Sequence, residues 1–213
     1  MKLTDLSINQ FVDELASKSP APGGGSVAAL AGGLSAALSV MVIGLTLGKE
    51  KYASSWAAME EVKQKGDQLA QDLLLLVDED TRAYNGVIEA YKLPKSSDAE
   101  KTLRSEVIQK AVKGAALTPL RTLRKIWELT ALAEKVLSEG NPNCITDAGV
   151  AFQMARAGAL GAAYNVRVNL PGISDKAFRE KLESETTKLL HAVLEASERA
   201  EETVDETLGT MNA

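Results

Sequence analysis

The sequence has few of the residues that most often carry proton transfer or hold metal ions. Its 213 residues include one histidine, His191, and one cysteine, Cys144. A single cysteine excludes an internal disulfide and suits a reducing compartment. One histidine and one distant cysteine form no zinc-ligand cluster, so we predict no metal site. His191 lies in a charged C-terminal stretch where a surface role is typical, although titration near neutral pH keeps catalysis open to a histidine.

The charge pattern argues against nucleic acid as a partner. The net charge is −5 and no long basic block is present, so we predict no nucleic-acid binding. The opening letters MKLTDLSINQF contain no apolar signal core. Together with the cysteine count, this predicts a cytoplasmic protein.

One uncharged segment, residues 27–47, is long enough to span a membrane. It is rich in alanine, glycine and serine, which let neighbouring helices approach closely, and no second segment of this kind exists to pair with it. A helix that is apolar on all sides can instead form the centre of a bundle. We therefore predict a buried central helix and no membrane association.

The remaining sequence has helical periodicity almost throughout. Ser7 and Gln10 form a capping-box pattern, and a long amphipathic helix is expected over residues 54–91. Pro94 ends it, Ser97 or Asp98 caps the next helix, and Pro119 is expected to end or kink that helix near residue 117. Gly140 is the expected C-cap of the helix before residue 145, and further helices are expected over residues 145–170 and from residue 174 onward.

No strand-like alternation of useful length and no repeat is present. The expected fold is all-α: one domain over residues 1–213, built as a bundle of six or seven helices around the small-residue apolar helix.

Three stretches together resemble the signature blocks of the cyclodeaminase/cyclohydrolase family. They are SPAPGGGSVAALAGGLSAALSVMVIGLTLGKEKY, DEDTRAYNGVIEAYKLPK and GNPNCITDAGVAFQMARAGALGAAYNVRVNL. The resemblance covers nearly the whole chain in order, and it is greatest to the stand-alone bacterial cyclohydrolase branch. It implies a homodimer with a folate site at the subunit interface, tetrahydrofolate as the one-carbon carrier substrate, and no tightly bound cofactor.

The resemblance implies one of two reactions. The first is hydrolysis of 5,10-methenyltetrahydrofolate to 10-formyltetrahydrofolate, and the alternative is closure of 5-formiminotetrahydrofolate with release of ammonia. An inactive helical interaction module of the same fold is the alternative from another class. The sequence discriminates poorly between the two reactions.

Three residues are the candidates for catalysis. Asp147 stands where the family has Ser-Asp-Ala, and it is also an acid suited to the start of a helix. Asp80 matches a second family aspartate, but it lies among other acids of a charged helix face. Lys49 is expected to end the apolar helix, and it would meet a folate carboxylate or exchange protons.

The candidates for substrate binding come from the same blocks. Glycine backbone at a helix start can approach an anion or a flat ring closely. Asn165 and Asn169 are spaced i, i+4 and share a helix face. Arg104 would pair with the glutamate tail of folate or with a nearby acid such as Glu100. The full set is Gly23, Gly24, Gly25, Ser26, Arg104, Asn143, Thr146, Asn165 and Asn169.

Helix geometry limits how these candidates can act together. Asp147 and Asn165 lie five turns apart on one face, about 27 Å at 1.5 Å per residue. They cannot both touch one reacting carbon. Either they line opposite ends of a long ligand, or one of them acts with the site of a second subunit.

Overall fold

A computed structural model describes residues 2–211 of the chain. Within that range the chain forms six α-helices, joined in places by short 3-10 helices, and no strand. The helices are α1 (Ile8–Leu15), α2 (Gly24–Thr46), α3 (Trp56–Lys92), α4 (Asp98–Glu139), α5 (Ile145–Asn169) and α6 (Lys176–Met211). The predicted all-α bundle is therefore confirmed.

Local capping explains where several helices begin. Ser7 and Gln10 form the predicted capping box of α1, and Ser97 forms a second one with Glu100 at the start of α4. Gly140 is the C-cap of α4, but its φ of −76° is ordinary. A Cβ at Gly140 would lie 2.4 Å from the carbonyl oxygen of Val136, so close packing requires this glycine.

The apolar helix α2 lies at the centre of the bundle. It packs between α3 and α5, with α4 behind it, while α6 packs against α4 and α5. Among the helices of residues 2–211, only α2 has the length and apolar composition to cross a membrane, and half of its most apolar window is buried. The rest of α2 includes exposed apolar side chains, among them Leu34 at 49% exposure.

Small residues set the distance between α2 and α5. A Cβ at Gly158 would lie 2.9 Å from the carbonyl oxygen of Ala28, and a Cβ at Gly161 would lie 3.0 Å from the Cβ of Ala28. Because Gly24 lies beside Asn165 and Gly32 beside Gly158, the two helices run antiparallel. The amino end of α2 is therefore at the same end of the bundle as the carboxyl end of α5.

Two sequence predictions about helix ends need correction. Pro119 does not end its helix, because α4 continues unbroken to Glu139. Lys49 does not end α2, which stops at Thr46; Gly48 follows with a φ of 74°, a conformation that favours glycine. Lys49 instead precedes a short 3-10 helix, Glu50–Ser55.

Candidate active site

A cavity of about 370 Å³ opens where α2 begins, a volume within the range of small-molecule sites. It is bounded by the loop before α2, by the second half of α3, by Ala115 of α4 and by the carboxyl end of α5. The predicted site residues that line it are Gly23, Gly24, Gly25, Asp80, Asn165 and Asn169. Two blocks distant in the sequence and the glycine loop thus meet at one place.

Asp80 reaches the first turn of α2 because residue 25 is glycine. A Cβ at Gly25 would lie 2.1 Å from Oδ1 of Asp80, far inside contact distance. The hydroxyl of Ser26 lies 3.2 Å from Oδ2 of Asp80 and donates to the carbonyl oxygen of Val77 at 2.8 Å. Ser26 is fully buried, so it holds the carboxylate rather than facing the cavity.

Burial raises the pKa of Asp80 above the ordinary aspartate value, although hydrogen bonds from Ser26 act in the opposite direction. Within residues 2–211 no lysine or arginine forms an ion pair with this carboxylate. A carboxylate of raised pKa beside a cavity is suited to accept a proton and return it.

Asn165 and Asn169 turn their amide nitrogens towards backbone carbonyls. Asn165 donates to the oxygen of Gly161 at 2.8 Å, and Asn169 donates to the oxygen of Asn165 at 2.8 Å and to that of Ala115 at 3.3 Å. These bonds leave the side-chain oxygens as hydrogen-bond acceptors at the cavity.

A second cluster lies at the opposite end of α2. Asn143 donates from Nδ2 to the hydroxyl of Tyr52 at 3.3 Å. Cys144 is buried, and burial together with the charge of Asp147 raises the pKa of its thiol, while the charge of Lys49 lowers it. Asp147 and Lys49 therefore both lie near this thiol.

The two clusters are far apart within one chain. Helix α2 has 23 residues, which corresponds to about 34 Å at 1.5 Å per residue. Asp147 and Lys49 therefore cannot reach the cavity that Asp80 lines. Thr146 is exposed and faces a different groove, which it lines with Val204 of α6.

Arg104 lies beyond the far side of the Asp80 cavity, in a groove between α3 and α4. It donates to the carbonyl oxygen of Tyr91 at 3.0 Å and stacks on the Tyr91 ring. It forms no pair with Glu100, whose carboxylate accepts hydrogen bonds from the backbone of Ser96 and Ser97. This groove between α3 and α4 holds a second cavity of about 320 Å³, which Lys95 and Lys101 line together with Arg104.

The sequence reasoning missed other residues of the cavity. Tyr84, Val87 and Val168 line it as well. Tyr84 follows Asp80 by four residues on one helix face, so helical spacing could have identified it.

His191 is exposed on α6, with its nearest carboxylate on Glu195 at 3.3 Å. No group of three or more metal-ligating side chains stands together within the part of the chain that the structure describes.

Known proteins resemble this chain along nearly its whole length. The family model described as formiminotransferase-cyclodeaminase matches residues 7–188. A methenyltetrahydrofolate cyclohydrolase of Methylorubrum extorquens is 43% identical over 198 residues, which is 93% of this chain and 95% of the relative. The formimidoyltransferase-cyclodeaminase of Mus musculus is 34% identical over 188 residues, which is 88% of this chain but 35% of the larger mouse protein.

A solved structure has the same fold. The crystal structure of a formiminotetrahydrofolate cyclodeaminase from Thermotoga maritima superposes with a TM-score of 0.86 at 28% identity, covering 97% of this chain and all of the other. The family model, the sequence relatives and the shared fold agree with the three sequence blocks. The chain belongs to the formiminotransferase-cyclodeaminase family.

Proposed function

We propose that this protein hydrolyses 5,10-methenyltetrahydrofolate to 10-formyltetrahydrofolate. The observation that carries the proposal is the half-buried carboxylate of Asp80, which lines the cavity at the start of α2 and forms no ion pair with a cationic side chain of residues 2–211. The 43% identity to a stand-alone methenyltetrahydrofolate cyclohydrolase of similar length supports this reaction over its alternative.

The chemistry requires a group that takes and returns a proton. The methenyl carbon bridges N5 and N10 and carries a delocalised positive charge, which a carboxylate stabilises. Water adds to this carbon and loses a proton to Asp80. The carbon–N5 bond then breaks as Asp80 returns its proton to N5. The hydroxyl group on the tetrahedral carbon releases its own proton to solvent and becomes the formyl oxygen, and the formyl group stays on N10. The raised pKa of Asp80 suits both transfers.

We further propose that Asp147 and Lys49 act in the site of a second copy of the chain, in a homodimer. The exposed sides of α2 and α5 carry apolar side chains, which include Val27, Leu34 and Tyr164. An exposed apolar face of this kind suits an interface.

The direction of α2 determines which groups such an interface would bring together. A two-fold axis across the middle of α2 places the second helix antiparallel to the first. The Lys49–Asp147 end of one copy then lies beside the Asp80 cavity of the other. Asp147 would share proton transfer with Asp80, and Lys49 would meet a folate carboxylate or exchange a proton, with Asn143 and Thr146 adjacent.

The rest of the folate would extend along the groove between α3 and α4. The glycine loop of residues 23–25 and the two asparagines would contact the pterin ring. Arg104 would bind the glutamate carboxylate, since Tyr91 beside it lies one helical turn, about 6 Å, beyond Val87 of the cavity. We propose a cytoplasmic enzyme with tetrahydrofolate as carrier substrate and no tightly bound cofactor.

Closure of 5-formiminotetrahydrofolate with release of ammonia is the second candidate. It is favoured by the 28% identity and close superposition with the Thermotoga maritima cyclodeaminase. The same carboxylates would serve it, because this reaction also proceeds through a tetrahedral carbon between N5 and N10.

The reaction is tested by adding the purified protein to each substrate. Loss of the near-ultraviolet absorbance of 5,10-methenyltetrahydrofolate, faster than in an enzyme-free control, would support the hydrolase. A rise in that absorbance from 5-formiminotetrahydrofolate, with ammonia released, would favour the alternative. Folate binding without either change would leave an inactive module.

The shared site is tested by mixing two inactive variants, Asp80→Asn and Asp147→Asn. Each homodimer lacks one carboxylate in both sites, whereas a mixed dimer has one intact site. When equal amounts of the two variants are unfolded and refolded together, the mixture should recover about a quarter of the wild-type activity. Activity no higher than that of the separate variants would contradict the shared site.

A further inference from the structure

Pro119 leaves a backbone carbonyl of α4 without its helical partner. In an α-helix the amide N–H of residue i donates to the carbonyl oxygen of residue i−4, and proline has no N–H. The helix nevertheless continues through Pro119, which is buried. The oxygen of Ala115 therefore lacks the hydrogen bond that every other residue type at position 119 would provide.

Asn169 supplies the missing donor from another helix. Its Nδ2 lies 3.3 Å from the oxygen of Ala115 and 2.8 Å from the oxygen of Asn165. The two amide hydrogens of Asn169 are thereby both used, and Ala115 and Asn169 both line the cavity. Oδ1 of Asn169 accepts no hydrogen bond from residues 2–211. Asn169 can therefore bind a ligand only as a hydrogen-bond acceptor, through Oδ1.

Asn165 also presents a hydrogen-bond acceptor at this end of the cavity. One of its amide hydrogens is used by the oxygen of Gly161, while its Oδ1 is also without a donor from the described residues. The two asparagines together offer two acceptor oxygens and one remaining N–H. An oxygen pair of this kind matches a ligand edge that carries N–H groups and repels a carboxylate.

We propose that Pro119 is a positioning residue that fixes the Asn169 carboxamide, and that this end of the cavity binds the N–H-bearing edge of the pterin ring. That edge carries the 2-amino group, N3–H and the O4 oxygen, which complement the two acceptors and the remaining N–H. The proposal rests on the proposed folate function. It orients the substrate with its pterin ring at the asparagines and its glutamate tail away from them.

The test compares substrate binding with turnover in Pro119→Ala. An N–H at residue 119 competes for the oxygen of Ala115 and releases Asn169. We expect KM for 5,10-methenyltetrahydrofolate, and Kd for 5-formyltetrahydrofolate measured by titration calorimetry, to rise about fivefold, the usual value of one hydrogen bond. We expect kcat to stay within about twofold, because no reacting group moves.

Two further variants separate positioning from folding. Asn169→Leu should weaken binding at least as much as Pro119→Ala, and adding Pro119→Ala to Asn169→Leu should have no further effect on Kd. Thr118→Val is the matched control, since its hydroxyl donates to the oxygen of Gly114 one position away and touches neither asparagine. It should bind the folate as the wild type does.

A folate analogue that lacks the 2-amino group tests the ligand edge directly. The wild type should bind 2-desamino-2-methyl-5-formyltetrahydrofolate more weakly than the parent, and Asn169→Leu should bind the two alike. Additive effects of the two substitutions, or equal discrimination by Asn169→Leu and the wild type, would overturn this proposal while leaving the hydrolase function intact. A wild-type protein that neither binds nor converts folates would overturn both.

Discussion

The contact between residue 25 and Asp80 yields the sharpest prediction. In Gly25→Ala, the new Cβ would lie 2.1 Å from Oδ1, 2.5 Å from Cγ and 2.6 Å from Oδ2 of Asp80. An ordinary carbon–oxygen contact is more than 3 Å, so the carboxylate must retreat by about 1 Å. A displacement of that size at a reacting group can lower the rate about 100-fold.

The same substitution should have little effect on stability. Overpacking a core costs about 1–3 kcal/mol, but the carboxylate can move into the adjoining cavity, which puts the cost at the low end. Alanine in place of glycine in a helix raises the free energy of unfolding by about 1 kcal/mol. We therefore expect the free energy of unfolding to fall by about 0–1 kcal/mol while kcat falls about 100-fold.

The assay is loss of methenyltetrahydrofolate absorbance, with unfolding followed by circular dichroism in urea. Gly86→Ala is the matched control, because Gly86 lies inside α3 and a Cβ there meets nothing within 4 Å. It should gain about 1 kcal/mol of stability at unchanged activity. Activity of Gly25→Ala within twofold of that control would refute the role assigned to the Asp80 position.

Three further outcomes are expected. Because burial raises the pKa of Asp80, its ionised form destabilises the folded chain, and Asp80→Asn should unfold at a higher urea concentration than the wild type at pH 7. The difference between the two urea midpoints should shrink as the pH falls towards about 4, and a difference that stays constant would contradict this reasoning. Leu34→Glu should convert a dimer to a folded, inactive monomer, seen by light scattering; an unchanged mass with full activity would exclude this face as the interface. Cys144 should react with a thiol reagent at least about 100-fold more slowly in the native than in the urea-unfolded chain, because it is buried and its pKa is raised; an immediate full reaction would contradict this.

Local sequence signals predicted most of the fold. Capping residues such as Ser7 and Ser97 act within their own turn, so the sequence alone locates the helix starts. The prediction that Pro119 would end its helix was wrong, because the compensating donor, Asn169, lies 50 residues away on another helix. A rule for isolated helices cannot anticipate a partner that tertiary packing supplies.

The sequence singled out six of the residues that line the cavity, but it did not reveal how the candidate residues are arranged. The resemblance singled out both Asp80 and Asp147, yet the antiparallel packing of α2 and α5 puts them at opposite ends of the bundle. Likewise Glu100 looked like a partner for Arg104 by spacing. Its carboxylate is instead used by two backbone N–H groups at the start of α4, which spacing alone does not reveal.

The close approach of α2 and α5 also limits how this protein can be made more robust. Replacing glycine by alanine in helices is a common route to thermal stability, but at Gly32, Gly158 and Gly161 the added methyl would meet neighbours at about 3 Å or less. A designer therefore has free choice only at glycines such as Gly86 and Gly114, which face open space. The contact between α2 and α5 is therefore a region of the fold that cannot be stabilised by adding one methyl group at a time.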